Sequence, residues 1–180
     1  MPRQPQISRE QVLDATLALA GEGGLSAVSM RAVASRLQVT PMALYHHVRD
    51  KQDLLDGLVE RLLGELPIPG AELPWPERLS LLAASLRESA RRHPDAFLML
   101  LRRPANTPAA RRAREALYAA LRDAGASEEQ IPRLERLLST FMIGFAASEG
   151  AGRFGALDRE TLDGDLEWVQ AQIRAGAARA

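Results

Sequence analysis

Residues 29–48 of this 180-residue chain read Ser-Met-Arg-Ala-Val-Ala-Ser-Arg-Leu-Gln-Val-Thr-Pro-Met-Ala-Leu-Tyr-His-His-Val, and they predict two short helices joined by a tight turn. Ser29 is a typical N-cap for the first helix, which has one apolar side made of Met30, Val33, Ala34 and Leu37. Thr40 and Pro41 are typical of the cap and the first position of the second helix. The three-residue turn at 38–40 has the spacing of a helix-turn-helix.

The second of these helices, predicted over 41–48, has an unusual outer side. Leu44 and Val48 are enough to hold it on its own core, which leaves five side chains facing away: Met42, Ala43, Tyr45, His46 and His47. In a helix-turn-helix the second helix lies in the major groove of DNA, where such groups contact thymine methyls, base edges and phosphates. Of the two histidines, we expect His47 to be partly structural. The alternative is a small helical bundle with nothing bound.

Two basic residues next to these helices are candidates for phosphate contacts. Lys51 is the only lysine of the chain and follows Asp50, a typical helix cap, so its ammonium and the unpaired amides of a helix start would bind one phosphate. Arg31 would contact the DNA backbone or a guanine edge. The alternatives are a solvated lysine and a surface ion pair of Arg31 with Asp14 or Glu22. Ser29 and Thr40 complete the predicted DNA-binding set.

The charge of the chain limits any DNA contact to this local patch. Arginine and lysine number 23 and so do aspartate and glutamate, so there is no overall basic field to attract nucleic acid. Residues 1–51 have six basic and four acidic side chains, which makes the local excess small.

Composition predicts an all-α protein, because alanine is abundant, Val, Ile and Thr are sparse, and no long stretch alternates apolar and polar residues. Ser8 and Gln11 predict a capping box for the first helix, and a cluster of glycines (Gly21, Gly23 and Gly24) predicts its end. The prolines and glycines of 64–74 predict a linker. This linker divides the chain into an N-terminal domain at 1–63 and a helical part at 75–180. The N-terminal domain consists of a three-helix helix-turn-helix unit and a fourth helix capped by Asp50.

Five helices are expected in the C-terminal part, at 76–92, 94–102, 107–124, 128–150 and 158–176. The second contains Phe97–Leu101, which is apolar around its whole circumference and is therefore expected to be central and buried. Large apolar side chains with a few polar groups are typical of ligand pockets. The apolar candidates are Trp75, Leu79, Leu82, Leu86, Phe97, Met99, Phe141, Met142 and Phe145, and the polar candidates are His93, Arg102, Arg103 and Glu149. The alternative for each apolar residue is ordinary core packing.

The last two helices have apolar faces, and one chain of this size has few other residues that could cover them. The helix at 128–150 has a second face of small residues at Thr140, Gly144, Ala147 and Ala151, and the last helix has a stripe that includes Leu166, Val169 and Ile173. A glycine within a helix costs about 1 kcal/mol relative to alanine, so Gly144 suggests the close approach of another backbone. These faces predict a homodimer through a four-helix bundle. Packing within one chain is the alternative.

Several functional classes have no motif in this sequence. Cysteine is absent, and the chain contains no GxSxG, P-loop or HExxH motif, so we expect neither an enzyme nor a cofactor. His46 and His47 point about 100° apart on a helix and cannot share a metal ion without a third ligand, so we expect no metal. No apolar run approaches the roughly 18 residues of a membrane span, and the expected location is the cytoplasm.

Three segments resemble the DNA-binding domain of TetR-family transcriptional regulators: residues 29–34, 39–48 and 50–55. The pattern Leu-Tyr-x-His-Val-x-x-Lys over 44–51 is especially similar to the tetracycline repressors. The resemblance covers about a third of the chain and departs at Gln38, where the family has glycine, so that glutamine must take up a turn conformation at some cost. It implies an all-α homodimer, phosphate contacts at Tyr45 and His46, a double-stranded operator bound by two such domains, and a ligand pocket in the C-terminal helices.

Together these features predict a ligand-responsive transcriptional regulator, most often a repressor, which a small apolar molecule releases from its operator. A dimeric DNA-binding protein without a ligand is the alternative, and a pocket filled by side chains would favour it. An all-helical enzyme based on carboxylates alone is the remaining alternative.

Overall fold

The computed structural model describes residues 7–103, 106–155 and 159–177. Within these ranges the chain is helical and has no strand, which confirms the all-α prediction. The helices are α1 (Arg9–Ala27), α2 (Met30–Arg36), α3 (Pro41–Leu44), α4 (Lys51–Gly64), α5 (Trp75–Arg92), α6 (Pro94–Phe97), α7 (Met99–Arg102), α8 (Pro108–Asp123), α9 (Ile131–Gly150) and α10 (Arg159–Ala177). No helix in the described ranges is long and apolar enough to cross a membrane.

Local capping determines where the N-terminal helices begin. The Ser8 hydroxyl accepts from the Gln11 amide at 3.1 Å and the Gln11 side chain accepts from the Ser8 amide at 2.8 Å, so the predicted capping box is confirmed. Ser29 and Asp50 also cap their helices through their side chains, at 3.1 and 2.8 Å. Thr40 occupies the N-cap position of α3, but its side chain makes no capping bond. The amide of Ala43 donates instead to the main-chain oxygen of Thr40, at 3.0 Å.

One predicted helix end in this region agrees with the structure and one is wrong. The helical conformation of α1 breaks where the glycine cluster predicts its end: Gly23 and Gly24 have non-helical backbone angles, with a φ of 68° at Gly24 that glycine adopts readily, and a further helical turn follows to Ala27. Helix α3 ends at Leu44 and does not continue to Val48. The amide of His47 bonds to the Leu44 oxygen at 2.8 Å, three residues back, so that residues 45–47 form a tight turn.

Helix α4 belongs to two separate hydrophobic cores. Its residues Leu54, Leu58 and Leu62 pack in an N-terminal core with side chains of α1, α2 and α3. On its other side Val59 and Leu63 pack in a C-terminal core, which is formed mainly by α5, α8 and α9. The helix-turn-helix therefore packs on a helix that also packs against the C-terminal part.

The predicted buried helix at 94–102 is wrong as a single element. It is two one-turn helices, α6 and α7, and the Leu101 amide bonds to the Leu98 oxygen at 3.2 Å, three residues back. Phe97 and Met99 are buried as expected, but Leu101 is 51% exposed. The physical reason is that five consecutive apolar residues surround a helix completely, and the neighbouring helices cover only part of that circumference.

The long helices otherwise follow the prediction to within a few residues. Helix α9 begins at Ile131 instead of 128, because residues 128–130 form a turn in which the Gln130 side chain accepts from the Ser127 amide at 2.9 Å. The predicted start of the last helix, residue 158, lies outside the described residues.

Candidate nucleic-acid interface and candidate ligand cavity

Residues 41–48 have the exposed and buried sides that the sequence predicts, although α3 itself ends at Leu44. Leu44 and Val48 are fully buried in the N-terminal core, whereas Met42 is 70% and Tyr45 50% exposed. His46 is exposed too, and Ala43 and His47 are half-buried. Large side chains are seldom this exposed without a partner, so this face is the candidate nucleic-acid interface.

The turn before α3 contains a strained residue. Gln38 has a φ of 57° and is the one residue other than glycine with a positive φ in the described part of the chain. Its amide donates to the Ser35 oxygen at 3.1 Å, and the Val39 amide donates to the Ala34 oxygen at 3.0 Å. An L-residue in this conformation costs about 1–2 kcal/mol, so the turn that aims α3 is maintained by the packing on both sides of it.

Lys51 and Arg31 are both exposed on the N-terminal helices. Lys51 is the first residue of α4, and Asp50 caps the third amide of that helix, which leaves the amides of Lys51 and Gln52 without an acceptor among the described residues. The ion pair considered for Arg31 is absent from the described residues: Glu22 pairs with Arg36 at 2.7 Å and Asp14 with Arg61 at 3.0 Å. Ser29 and Thr40 are exposed beside them.

Asp53 connects the segment after α3 to α1 and α4. One oxygen of its carboxylate accepts from the Arg9 guanidinium at 2.9 Å, and the other accepts from the Arg49 amide at 2.9 Å. Arg9 also donates to the main-chain oxygen of His47, at 2.5 Å. Burial raises the pKa of the Asp53 carboxyl, but the Arg49 amide and the Arg9 guanidinium outweigh burial, and the pKa lies below its usual value. Sequence reasoning did not identify Arg9 or Asp53. The two acceptors of the Arg9 guanidinium, the His47 main-chain oxygen and the Asp53 carboxylate, lie 38 and 44 residues further along the chain, beyond any local pattern.

The candidate ligand cavity, of about 410 Å³, lies among α4, α5, α7, α8 and α9. Its walls are mainly leucines and other apolar side chains, and its polar groups are Arg103, Ser139, Thr140 and the pair Arg114–Glu135, which lies at 3.7 Å. Of the predicted apolar pocket residues, Leu82, Leu86 and Met142 line this cavity, and so does the predicted polar residue Arg103. Sequence reasoning missed Leu100, Leu117 and Ile143, since each belongs to a different helix and no single periodicity relates them.

The other predicted pocket residues lie elsewhere. Leu79, Phe97 and Met99 are core residues that line no described cavity. Trp75 lies under the Arg174 guanidinium, at 5.0 Å from the ring centre. Arg102 is exposed, and His93 ends α5, where burial lowers its pKa. Phe141 and Phe145 line a narrow cleft of about 50 Å³ with Leu166, and Glu149 pairs with Arg87 at 2.6 Å in a wide groove on the other side of α5.

The predicted dimer residues divide into three groups. Ile173 is buried in the C-terminal core and Val169 packs against it, so this stripe is covered within the chain, contrary to prediction. Thr140 lines the ligand cavity, and Leu166 lines the narrow cleft. Gly144 and Ala147 are partly exposed and Ala151 is exposed, although Ala147 also packs against the C-terminal core. Outside the adjacent turns of α9, no described atom lies within 4 Å of a Cβ placed on Gly144, so no other described backbone approaches it.

Large apolar side chains are exposed near Gly144. Leu137 is 59% exposed and Phe141 of the same helix 40%, and Trp168 of α10 is 65% exposed. Leu137, Phe141 and Gly144 follow one another at spacings of four and three residues, so they share one face of α9. This face is an apolar surface that the described residues leave exposed.

Comparison with known proteins is consistent with both halves of this description. The model of "Bacterial regulatory proteins, tetR family" matches residues 12–58, and that of "Tetracyclin repressor-like, C-terminal domain" matches residues 67–171. An HTH-type transcriptional regulator of Saccharopolyspora erythraea is 30% identical over 83% of this chain, and the match spans 64% of that protein's length. The class E tetracycline repressor protein of Escherichia coli is 30% identical over 81% of this chain, and this match spans 70% of its length.

Solved structures share the fold over nearly the whole chain. ActR of Streptomyces coelicolor without a ligand superposes with a TM-score of 0.86 at 24% identity, covering 98% of this chain and 99% of that one. ActR in complex with actinorhodin superposes with a TM-score of 0.82 at 25% identity, covering 96% and 99%. The family models together cover most of the chain, including the helix-turn-helix and the helices around the cavity. The chain therefore belongs to the tetR family of bacterial regulatory proteins.

Proposed function

We propose that this protein is a dimeric transcriptional repressor that binds double-stranded operator DNA and releases it when a small apolar molecule enters the cavity. The observation that carries the proposal is the exposed face of α3. Met42 and Tyr45 are exposed on a segment that Leu44 and Val48 fix to the N-terminal core, so their side chains are accessible to a partner. A protein that binds chromosomal DNA acts in the cytoplasm, and we propose that location.

In the proposed complex α3 lies in the major groove, with Met42 and Ala43 against base edges and methyl groups. Tyr45 and His46 face the sugar-phosphate backbone. Lys51 and the amides at the start of α4 bind a phosphate, and Arg31 contacts the backbone or a guanine. His47 orients the segment after α3 through its main-chain oxygen, which accepts from Arg9.

The proposed dimer is formed through the apolar face of α9, with Leu137, Phe141 and Gly144 at its centre, together with Trp168 of α10. The exposure of Leu137 and Phe141 on one face of α9 supports this, because apolar side chains grouped on a surface are typical of protein interfaces. The small side chains of Gly144 and Ala147 allow the helices of two subunits to approach closely.

The cavity favours a ligand-responsive regulator over one that only binds DNA. A volume of about 410 Å³ is within the range of small-molecule sites, and side chains have not filled it. A solved relative, ActR, binds actinorhodin. We propose that the ligand of this protein also occupies a cavity among the C-terminal helices.

The test is the selection of double-stranded DNA from a random pool by the purified protein, followed by quantitative binding to the enriched sequence. We expect an inverted repeat whose half-site centres lie one helical turn, about 10 base pairs, or a multiple of that apart. Placed over a promoter, this sequence is expected to lower reporter expression when the protein is present. Enrichment of no common sequence would contradict DNA recognition, and unchanged expression would contradict repression.

A further inference from the structure

Arg103 is the polar side chain that connects the cavity to the DNA-binding part. It lines the cavity at the end of α7, and its guanidinium donates to three acceptors on α4: the Asp56 carboxylate at 2.5 Å, the Gln52 side-chain oxygen at 2.7 Å and the Gln52 main-chain oxygen at 3.0 Å. Gln52 is the residue directly after Lys51. Arg103 therefore bonds to α4 within one residue of the proposed phosphate contact.

The Arg103 guanidinium has N–H groups left over that could bind an anionic group. Arginine has five N–H groups, and the described residues offer acceptors for three of those of Arg103. Its side chain is largely buried, whereas the side chain of Asp56 is 49% exposed. Water can therefore solvate Asp56 if the pair separates, while an acidic group inside the cavity would meet a cation that is shielded from solvent.

Arg114, the other cationic side chain that lines the cavity, has its counter-charge close by. Arg114 lies close to Glu135, at 3.7 Å, so its charge is already balanced inside the cavity wall. Asp56, the counter-charge of Arg103, is not part of the cavity lining. The cavity therefore has an apolar body, a balanced ion pair and, in Arg103, a cationic lining residue whose counter-charge lies outside the lining.

A movement of α4 would be transmitted to α3. Leu54 and Leu58 of α4 pack in the same core as Leu44 and Val48, and the cap of α4 orients Lys51. Loss of the Arg103 bonds would leave the first two turns of α4 without their polar link to the C-terminal part. Its second half would stay attached through Val59, Leu63 and the Glu60 carboxylate, which accepts from the Ala109 amide at 3.2 Å.

We propose that the ligand is an apolar molecule with one acidic group, and that Arg103 is the positioning residue that transmits its binding to α4. The acidic group, a carboxylate, sulfonate or ionised phenol, binds the remaining N–H groups of Arg103 and draws the guanidinium away from Asp56 and Gln52. The first turns of α4 are then free to shift, and Lys51 and α3 lose the geometry that operator binding needs. This inference rests on the proposed function, of which it specifies the ligand class and the residue that detects the acidic group.

The test uses two fluorescent probes of almost the same apolar shape. 1-Anilinonaphthalene-8-sulfonate has an acidic group, and N-phenyl-1-naphthylamine lacks it. We expect Arg103→Gln to weaken binding of the sulfonate probe about tenfold and to leave binding of the neutral probe nearly unchanged, since only the first loses a charge-assisted hydrogen bond. Arg111→Gln is the matched control: it removes an equal charge from an exposed residue of α8 outside the cavity lining, and both probes should bind it as they bind wild type. Ala113→Trp, which fills the cavity, should weaken both.

Operator affinity gives the second readout, measured on the selected DNA for the full-length protein. The sulfonate probe should lower the operator affinity of wild type at least fivefold and that of Arg103→Gln by less than twofold, and the neutral probe should have little effect on either. Arg103→Lys keeps the charge and loses the planar fork, so it should bind the sulfonate probe better than Arg103→Gln but respond weakly in operator binding. Melting curves of the variants establish that they are folded.

Three results would overturn the inference. They are equal binding of the sulfonate probe to wild type and Arg103→Gln, release of the operator by the neutral probe as efficiently as by the sulfonate, and a sulfonate probe that binds through Arg103 without changing operator affinity. If wild type binds no selected DNA, the proposed function fails instead. The probe affinities need no DNA and would still decide the ligand class.

Discussion

At the scale of single residues, the exposed and buried positions of α3 have separate tasks. Tyr45 is half exposed and Leu44 fully buried, although they are neighbours in the chain. Because a helix turns by 100° per residue, adjacent side chains serve different surfaces. Changes at these two positions should therefore affect different measurements.

We expect Tyr45→Ala and His46→Ala each to weaken operator binding about tenfold, with a change in melting temperature of no more than about 2 °C, since exposed substitutions seldom alter stability by more than about 0.5 kcal/mol. Leu44→Ala should instead lower the free energy of unfolding by about 2–5 kcal/mol, because it leaves a cavity in the N-terminal core. Binding titrations and thermal melts of the three variants check this. Equal destabilisation by all three would show that the exposed face is wrongly assigned.

Lys51 permits a chemical test, because it is the only side-chain amine of the protein. Acetylation removes its charge, whereas reductive methylation preserves it. Acetylated protein should bind all DNA sequences more weakly, and the slope of log affinity against log salt should fall by about one per subunit. Methylated protein should retain most of its affinity.

The control for the acetylation experiment is Lys51→Arg, in which only the N-terminus reacts. Acetylation should leave the DNA affinity of this variant unchanged. An unaltered affinity and salt slope after complete acetylation of wild type would exclude the phosphate contact of Lys51.

At the scale of the elements, the position of α3 depends on links that join it to α1 and α4. Asp53 of α4 accepts from Arg9 of α1 and from Arg49, which follows the recognition segment. Gln38 adopts its strained conformation because the packing of α2 and α3 determines the path of the turn. Helix α3 has only four residues, so its orientation comes from its surroundings rather than from its own hydrogen bonds.

Asp53→Asn should lower the free energy of unfolding by about 1–2 kcal/mol at pH 7, since an amide replaces a carboxylate that accepts charge-assisted bonds. The folded-state pKa of Asp53 is lowered, so its contribution is complete above the unfolded pKa of about 3.9 and is lost as the pH falls through the folded pKa. The difference between variant and wild type should therefore shrink towards zero in acid. Denaturant unfolding at several pH values measures this difference in the free energy of unfolding, with the exposed Glu129→Gln as control. A difference independent of pH would contradict the role of the charge.

At the scale of the whole molecule, the uncovered face of α9 suggests assembly, and Gly144 offers a selective way to test it. A side chain added there meets no atom of the same chain within 4 Å. Removal of a glycine from a helix interior also favours the helix by up to about 1 kcal/mol. A change at Gly144 should therefore leave the single chain folded.

We expect Gly144→Glu to convert the dimer into monomers at tens of micromolar, because it introduces a charge where two apolar helices meet. Operator affinity should fall when the dimer dissociates, since one molecule would no longer bind two half-sites together. Light scattering measures the mass, and Gly21→Glu is the control, because a side chain on this exposed glycine of α1 also meets no atom within 4 Å. A wild-type protein that is monomeric under these conditions would contradict the dimer.

The sequence by itself determined the features that depend on neighbours within about four residues. The caps at Ser8, Ser29 and Asp50 follow from local hydrogen bonds, the exposed and buried sides of residues 41–48 follow from the helical repeat, and the structure confirms them. The family follows from the same stretch, since its motif lies in one short segment.

Only the tertiary structure decided how these elements are used. The predicted helix at 94–102 became two short helices, Ile173 became a core residue, and Thr140 came to line the cavity. The acceptors of Arg103 are 47 and 51 residues away along the chain, beyond any periodic pattern. A helical repeat shows which residues share a face, but the packing of several helices decides what that face meets, and the cavity and its link to α4 arise from that packing.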